Sequence, residues 1–230
     1  MNFSTIALSI VALIFAYYLY VTFFVNQDEF EIFKTRVANV AETFPRVYPP
    51  EVRASYAHSF WVLVNSMETT GSQERRDVIS KTDGAETKEF EVYFDKYSNN
   101  LTVNTILKGA EGETSKLTCS VTNIPLQRWV HIALSLHNNA MDIYVDGKLV
   151  RTCVADKQVA LIQQDAVLNV AKGGGFSGYI NMMRYHKNAL SPDEAYALYR
   201  KGPGSNAFNM NYNVRLSLMK DNNELKSYQF

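Results

Sequence analysis

No charged side chain occurs before Asp28. The rest of the chain has no excess of either sign: Lys and Arg total 23, Asp and Glu total 23, over 230 residues. No basic block stands out, so the electrostatic footprint of a nucleic-acid-binding protein is missing. A neutral chain has little long-range repulsion between copies, which permits dense assembly. The sequence has no internal repeat. It has no phosphate-loop pattern either, which leaves nucleotide binding without support. The four histidines, His58, His131, His137 and His186, are scattered without metal-ligand spacing. Cysteine is nearly absent, with Cys119 and Cys153 alone.

The charge-free N-terminus is strongly apolar. Over residues 6–25 the main polar interruptions are Ser9 and Thr22. About 20 such residues at ~1.5 Å each match the ~30 Å hydrocarbon core of a bilayer. Tyr17, Tyr18 and Tyr20 fall toward one end, where amphipathic rings favour the interface. A cleaved signal peptide would need a positive n-region and a small-x-small site, and neither is present. Residues 1–27 are therefore expected to form an uncleaved transmembrane helix, with lipid contact through residues 5–25. Lys34 and Arg36 follow it and no basic residue precedes it, so the positive-inside rule points to a cytoplasmic C-terminal domain.

Phe30, Phe33, Val37, Val40 and Phe44 are spaced 3, 4, 3, 4. That spacing predicts an amphipathic helix within residues 28–50. It would be either a stalk or a helix lying on its own domain or on the membrane surface. Pro45, Pro49 and Pro50 end it and begin a linker.

Beyond residue 51 the period changes to 2. Strand-forming runs occur at residues 59–64, 90–94, 101–106, 116–121, 129–136 and 141–145, separated by Asn and Gly turns. Asp146-Gly147 is a two-residue hairpin signal, with residues 148–150 returning. Ser191-Pro192-Asp193-Glu194 reads as a helix start, with a capping Ser, Pro in the first turn and Glu in the capping-box position. Gly202 stops that helix. The predicted fold is an all-β antiparallel sandwich over residues 51–202 with one short late helix. Residues 203–230 form a tail with one strand at 212–218, expected to pair with the domain or with a neighbouring protein.

The ordered set IPLQRWVHIA at 124–133, DIYVDGKLV at 142–150, SFWV at 59–62, VISK at 78–81, GGFSGYI at 174–180 and NALSPDEA at 188–195 resembles laminin-G-like, pentraxin-type domains of the concanavalin A-like class. That resemblance implies a jelly-roll sandwich. The combination CSVTNIPLQ at 119–127, RTC at 151–153 and GGFSG at 174–178 is similar to laminin-G-like proteins of large DNA viruses that infect algae and protists. Several of these join one N-terminal hydrophobic helix to one such domain. The narrower resemblance implies a minor capsid protein tying an internal membrane to the capsid shell, with other structural and capsid proteins as partners. The family pattern also implies a Cys119–Cys153 disulfide in place of two buried thiols. Disulfides usually mark oxidising compartments, at odds with a cytoplasmic domain. The thiol oxidases of such viruses would reconcile the two.

The chemistry is thin. Endoglucanases of this class carry a Glu-x-Asp-x-(x)-Glu strand, which sets nucleophile and acid on one face at ~5–5.5 Å. The nearest run here, residues 89–95, puts Glu89 and Glu91 on one face but lacks the middle Asp. A solvated strand face is the expectation, and no catalytic residue is assigned. Asn138, Asn139 and Asp142 cluster near one turn, with Asp146 close by, and are the candidates for a calcium ion. Turn formation explains them more simply, so no cofactor is expected. His131 and Trp129 alternate on one strand, which reads as packing. Trp129, Tyr179 and Tyr185 are the candidate rings for a glycan platform, with His186 beside them. Gly173-Gly174-Gly175 lets backbone approach something closely. Asn100-Leu101-Thr102 is a glycosylation sequon, usable on a lumenal or external face. A structural assembly protein ranks first, a membrane-bound glycan-binding protein second and a glycoside hydrolase third.

Overall fold

The structure, a computed structural model, describes residues 3–20, 29–45, 47–48, 55–67, 74–82, 88–108, 113–159, 166–204, 215–220 and 223–229. Residues 21–28, Pro49 and Pro50 of the expected linker, and positions 212–214 of the expected tail strand lie outside the described residues.

Helix α1 spans Phe3–Tyr20. Strands β1 (Glu29–Val37), β2 (Glu42–Phe44), β3 (Ser55–Ser66), β4 (Arg75–Thr82) and β5 (Lys88–Asp95) follow. Next come β6 (Leu101–Lys108), β7 (Thr114–Val121), β8 (Trp129–His137), β9 (Ala140–Val145) and β10 (Lys148–Val154). The series continues with β11 (Gln158–Val159), β12 (Val167–Val170), β13 (Ser177–His186), helix α2 (Pro192–Arg200), β14 (Arg215–Lys220) and β15 (Asn223–Gln229).

The strands build two facing antiparallel sheets, as the period of 2 predicts. The first sheet has the order β1-β13-β3-β8-β9-β10. The second has β11-β6-β5-β4-β12-β2, with β7 also paired to β6. The core fills the space between them. Phe60, Val62 and Val64 of β3 and Ile132 and Leu134 of β8 share it with Ile79, Phe90, Val92, Phe94 and Val103 of the second sheet. These alternate with outward residues, which is what a half-buried strand requires. The Asp146-Gly147 turn has positive φ at both residues, 49° and 74°, as a twist-matched two-residue hairpin demands.

Each end of the sheet stack is closed differently. At one end the short connection between β1 and β2 carries the chain from the first sheet to the second. At the other, Cys119 of β7 and Cys153 of β10 form a disulfide with Cα atoms 6.0 Å apart. The bond links the two sheets at their β7 and β10 edges. The glycine run lies at the first end: a Cβ at Gly175 would sit 1.5 Å from the Ala38 carbonyl oxygen. What Gly175 approaches is therefore the chain's own β1–β2 turn, whose Ala38 oxygen accepts from Phe176 N at 3.1 Å.

Helix α2 begins as its sequence predicts. Ser191 caps it, Glu194 reaches back to the Ser191 N–H at 2.8 Å, and Pro192 occupies the first turn. Ala195 and Leu198 pack with Ala57, Ala133, Tyr144 and Leu190 on the outer side of the first sheet.

Two expectations are corrected. The predicted amphipathic helix of residues 28–50 is two strands, β1 and β2. A register shift between Glu31 and Phe33 explains the misleading spacing. The bulge adds one residue, so Phe30 and Phe33, three apart, sit opposite the core residues Tyr185 and Met183. The sandwich thus begins at Glu29 rather than at residue 51. Second, the tail carries two strands in place of one: β14 and β15 pair with each other in a separate two-stranded sheet. Among the described residues no helix is long and apolar enough to cross a membrane.

Candidate functional site

The outer face of the second sheet carries an unbroken polar row. Thr43, Asn169, Ser80, Glu91, Asn104 and Thr118 stand opposite one another on β2, β12, β4, β5, β6 and β7. Neighbouring strands in register put these side chains roughly 5 Å apart, within reach of hydrogen bonds. Thr43 Oγ1 donates to Asn169 Oδ1 at 3.0 Å. Thr118 Oγ1 donates to Asn104 Oδ1 at 2.8 Å, and Asn104 Nδ2 donates to Glu91 Oε2 at 3.3 Å.

Glu91 is the centre of this network. It is only 6 % exposed, yet three cations surround it. Arg75 lies at 2.5 Å, Lys88 at 3.0 Å and Lys116 at 3.6 Å. Burial alone would push its pKa up. The hydrogen bonds and charges of Arg75 and Lys88 outweigh that and bring it down to about 2. Arg75 is itself fixed by Asp77 at 2.8 Å and stacks 4.4 Å from the Tyr93 ring centroid. A cleft of about 420 Å³ opens beside Glu91, lined also by Lys88, Asn104, Ile106, Thr114, Ser115 and Lys116. Glu91 is the only carboxylate among its described lining residues.

A second polar cluster lies inside the sandwich. Lys81, 1 % exposed, points inward from β4 and pairs with Glu89. A register shift between Lys81 and Thr82 places Glu89 at an irregularity of β5. The Lys81 ammonium lies 5.5 Å from the Tyr48 ring centroid. Tyr48 OH is 3.2 Å from His58 Nε2. Tyr56, Tyr185 and Phe90 pack their rings around His58. Burial, and then the Lys81 and His186 charges, push the His58 pKa down to about 3, so its ring is neutral. Glu89 and Glu91, expected on one face, thus serve different networks.

The candidate glycan rings are divided. Trp129 and Tyr179 do share one row on the outer face of the first sheet, with Leu63 between them. Tyr185 is fully buried opposite His58 and faces the interior. The expected three-ring platform is therefore not assembled, and its two remaining members lie on the sheet opposite the cleft. His186 is buried and bonds Ser59 Oγ at 2.8 Å. His131 packs against Trp61 and Tyr199, as its alternation predicts.

The calcium candidates are each engaged within the hairpin. Asn139 Nδ2 donates to the Ala155 carbonyl at 2.7 Å. Asp142 Oδ1 accepts from Thr152 at 2.6 Å, and Asn138 lies 3.0 Å from His137 Nε2. Among the described residues no group of three or more His, Cys, Asp or Glu could hold a metal ion. The sequon residue Asn100 donates to Asp95 Oδ2 at 3.1 Å and accepts from Asn123 N at 3.3 Å.

Sequence reading missed the cleft. Lys88, Glu91, Asn104 and Lys116 come from three strands, and their convergence depends on register. The one signal was compositional: β5 and β6 each carry polar side chains at alternate positions, Glu91 and Tyr93 on one, Thr102 and Asn104 on the other.

Two antiparallel sheets, with a helix on one outer face and a polar cleft on the other, define a jelly-roll sandwich. Residues 43–195 match the family model of the concanavalin A-like lectin/glucanase superfamily, laminin-G type. The chain belongs to that superfamily. No curated protein sequence matches it. Among solved structures it is similar to the ligand-binding domain of botulinum neurotoxin serotype D in complex with N-acetylneuraminic acid. The identity there is 11 % and the TM-score 0.52, over 76 % of this chain and 50 % of that one. The receptor-binding domain of botulinum neurotoxin D matches with 12 % identity and a TM-score of 0.51, over 76 % of this chain and 44 % of that one. The chain spans about half the length of these structures. At such identities the likeness concerns the fold.

Proposed function

We propose that this chain is a non-catalytic interaction domain held at a membrane by its N-terminal helix. In this reading it is a structural component of a virion, joining an internal membrane to the shell around it. The state of Glu91 carries the non-catalytic part. Retaining hydrolysis needs two carboxylates ~5–5.5 Å apart, one of them protonated at working pH. Glu91 is held ionised by three cations, and Glu89 is bound to Lys81.

The membrane part is supported by α1. Its apolar side chains Ile10, Val11, Leu13, Ile14 and Phe15 are all more than half exposed. Positions so close in sequence fall on every side of a helix, so no single face is left for packing against a protein core. The capsid part rests on the resemblance to laminin-G-like viral proteins.

Cross-linking mass spectrometry on the purified native particle tests the reading. Cross-links from the domain's lysines to other structural proteins are expected. A chain that is absent from the particle, or that releases sugar from a β-glucan, would contradict it. A second reading, a lectin, is favoured by the cleft: its lining is polar, and it is too large for a lone ion. The related fold with a bound N-acetylneuraminic acid shows that this architecture occurs in sugar-binding proteins.

A further inference from the structure

Among the described residues around the cleft beside Glu91, positive charge exceeds negative. Three cations, Arg75, Lys88 and Lys116, face two anions, Glu91 and Asp77. One positive charge remains among these side chains. It belongs to the lysines, because Arg75 is held between both carboxylates and stacked on Tyr93. The Lys88 and Lys116 side chains are 47 % and 56 % exposed. An ammonium has three donors. Glu91 has a limited set of acceptor positions and shares them among three cations and the Asn104 amide. Donors therefore remain on both lysines. The nearby Glu113 does not supply the missing charge, since it pairs with Lys157 at 2.7 Å.

The remaining lining sets the ligand's other properties. Thr114 and Ser115 offer exposed hydroxyls, and Ile106 gives a half-buried apolar patch. That combination suits a sugar ring, which is polar at its edge and carries C–H groups on its face. A volume of about 420 Å³ is that of a site for an organic ligand rather than for an inorganic anion. The buried network beneath the cleft holds the cations in place before a ligand arrives, which limits the ordering cost of binding.

We infer that this cleft binds an acidic saccharide, with the anionic group of the sugar bridging Lys88 and Lys116 and the ring resting on Ile106. The inference rests on the lectin reading above. The anionic group can be a carboxylate or a sulfate ester, because both accept charge-assisted hydrogen bonds from ammonium groups. Glu91 acts as a positioning residue: it holds the two lysines from below and does not touch the ligand.

The test is a calorimetric titration of the full-length protein in detergent with three oligosaccharides of equal length: a polyuronate, a sulfated galactan and a neutral β-glucan. Binding of at least one acidic oligosaccharide is expected, with the neutral one weaker by about tenfold or more. Lys88→Ala/Lys116→Ala should weaken acidic binding by about tenfold while the variant keeps the parent's far-UV circular dichroism and a cooperative melt. Added salt should weaken it as well. Trp129→Ala, on the other sheet, should leave it unchanged. Equal binding of the neutral glucan would overturn the charge assignment while leaving the lectin reading intact. Retained binding in the double lysine variant would move the site elsewhere. Inorganic sulfate binding as tightly as the saccharide would reduce the cleft to an anion patch. Absence of binding by all three saccharides would overturn both readings.

Discussion

Lys81 shows how much can depend on one side chain. Its ammonium is buried inside the sandwich with the Glu89 carboxylate as partner. Two charges taken out of water are costly, and each makes the other tolerable. Lys81→Met removes one and leaves a buried carboxylate behind. The expected loss is roughly 3–5 kcal/mol of unfolding free energy in urea titrations. The double variant Lys81→Met/Glu89→Gln should recover most of it, because no charge is then stranded. A single variant as stable as the parent would mean that the pair contributes nothing to stability. Glu91 illustrates the opposite arrangement. Its charge faces a cleft and has several partners, so no one of them is indispensable.

At the scale of elements, the disulfide is the clearest case. It joins β7 to β10 across a sequence separation of 34 residues. Closing a loop of that length in the unfolded chain contributes about 3–4 kcal/mol. Cys119→Ala/Cys153→Ala is expected to lower the melting temperature by roughly 10 °C while keeping the fold. The bridge was legible in the sequence only through family resemblance, since two cysteines on separate strands do not announce that they meet. Strands β3 and β5 to β10 and helix α2 were legible for local reasons: alternation, the Asp146-Gly147 turn and the Ser191 capping box; β4 entered only through the family resemblance of residues 78–81. β1 was not. Its bulge shifted Phe30 and Phe33 to helical spacing, and pattern reading has no means of seeing a bulge before the partner strand is known. The cleft was hidden for a related reason. Lys88, Asn104 and Lys116 are ordinary strand-face residues until the register of β5, β6 and β7 aligns them. Tyr48 was likewise assigned to a linker, yet it is buried in the interior beside His58.

For the whole molecule, buried histidines set the response to acid. Burial lowers the pKa of His58 to about 3 and of His131 and His186 to about 4. In the unfolded chain each would titrate near its ordinary value of about 6.5. Between those limits the unfolded state binds more protons, so it gains relative to the folded state as pH falls. The stability these groups allow is fully present above pH ~6.5 and is lost progressively down to about pH 3–4. Thermal melts from neutral to acidic pH should show a steady decline beginning near pH ~6.5. His58→Phe should flatten that slope if it is accommodated among Tyr56, Tyr185 and Phe90. A melting temperature that stays constant down to pH ~4 would mean that these rings are protonated in the fold.

The placement of the disulfide has a mechanical consequence. A tether at the N-terminus delivers any pull to β1, an outermost strand joined to the rest by its pairing with β13. That strand can peel away first. The chain between Cys119 and Cys153, which contains β8 and β9, cannot lengthen while the bridge is intact. At ~3.6 Å per residue, about 120 Å of contour stays locked. The oxidised domain thus gives first at the tethered margin and keeps one covalently closed segment however far the rest is drawn out. Reduction would free that last segment as well.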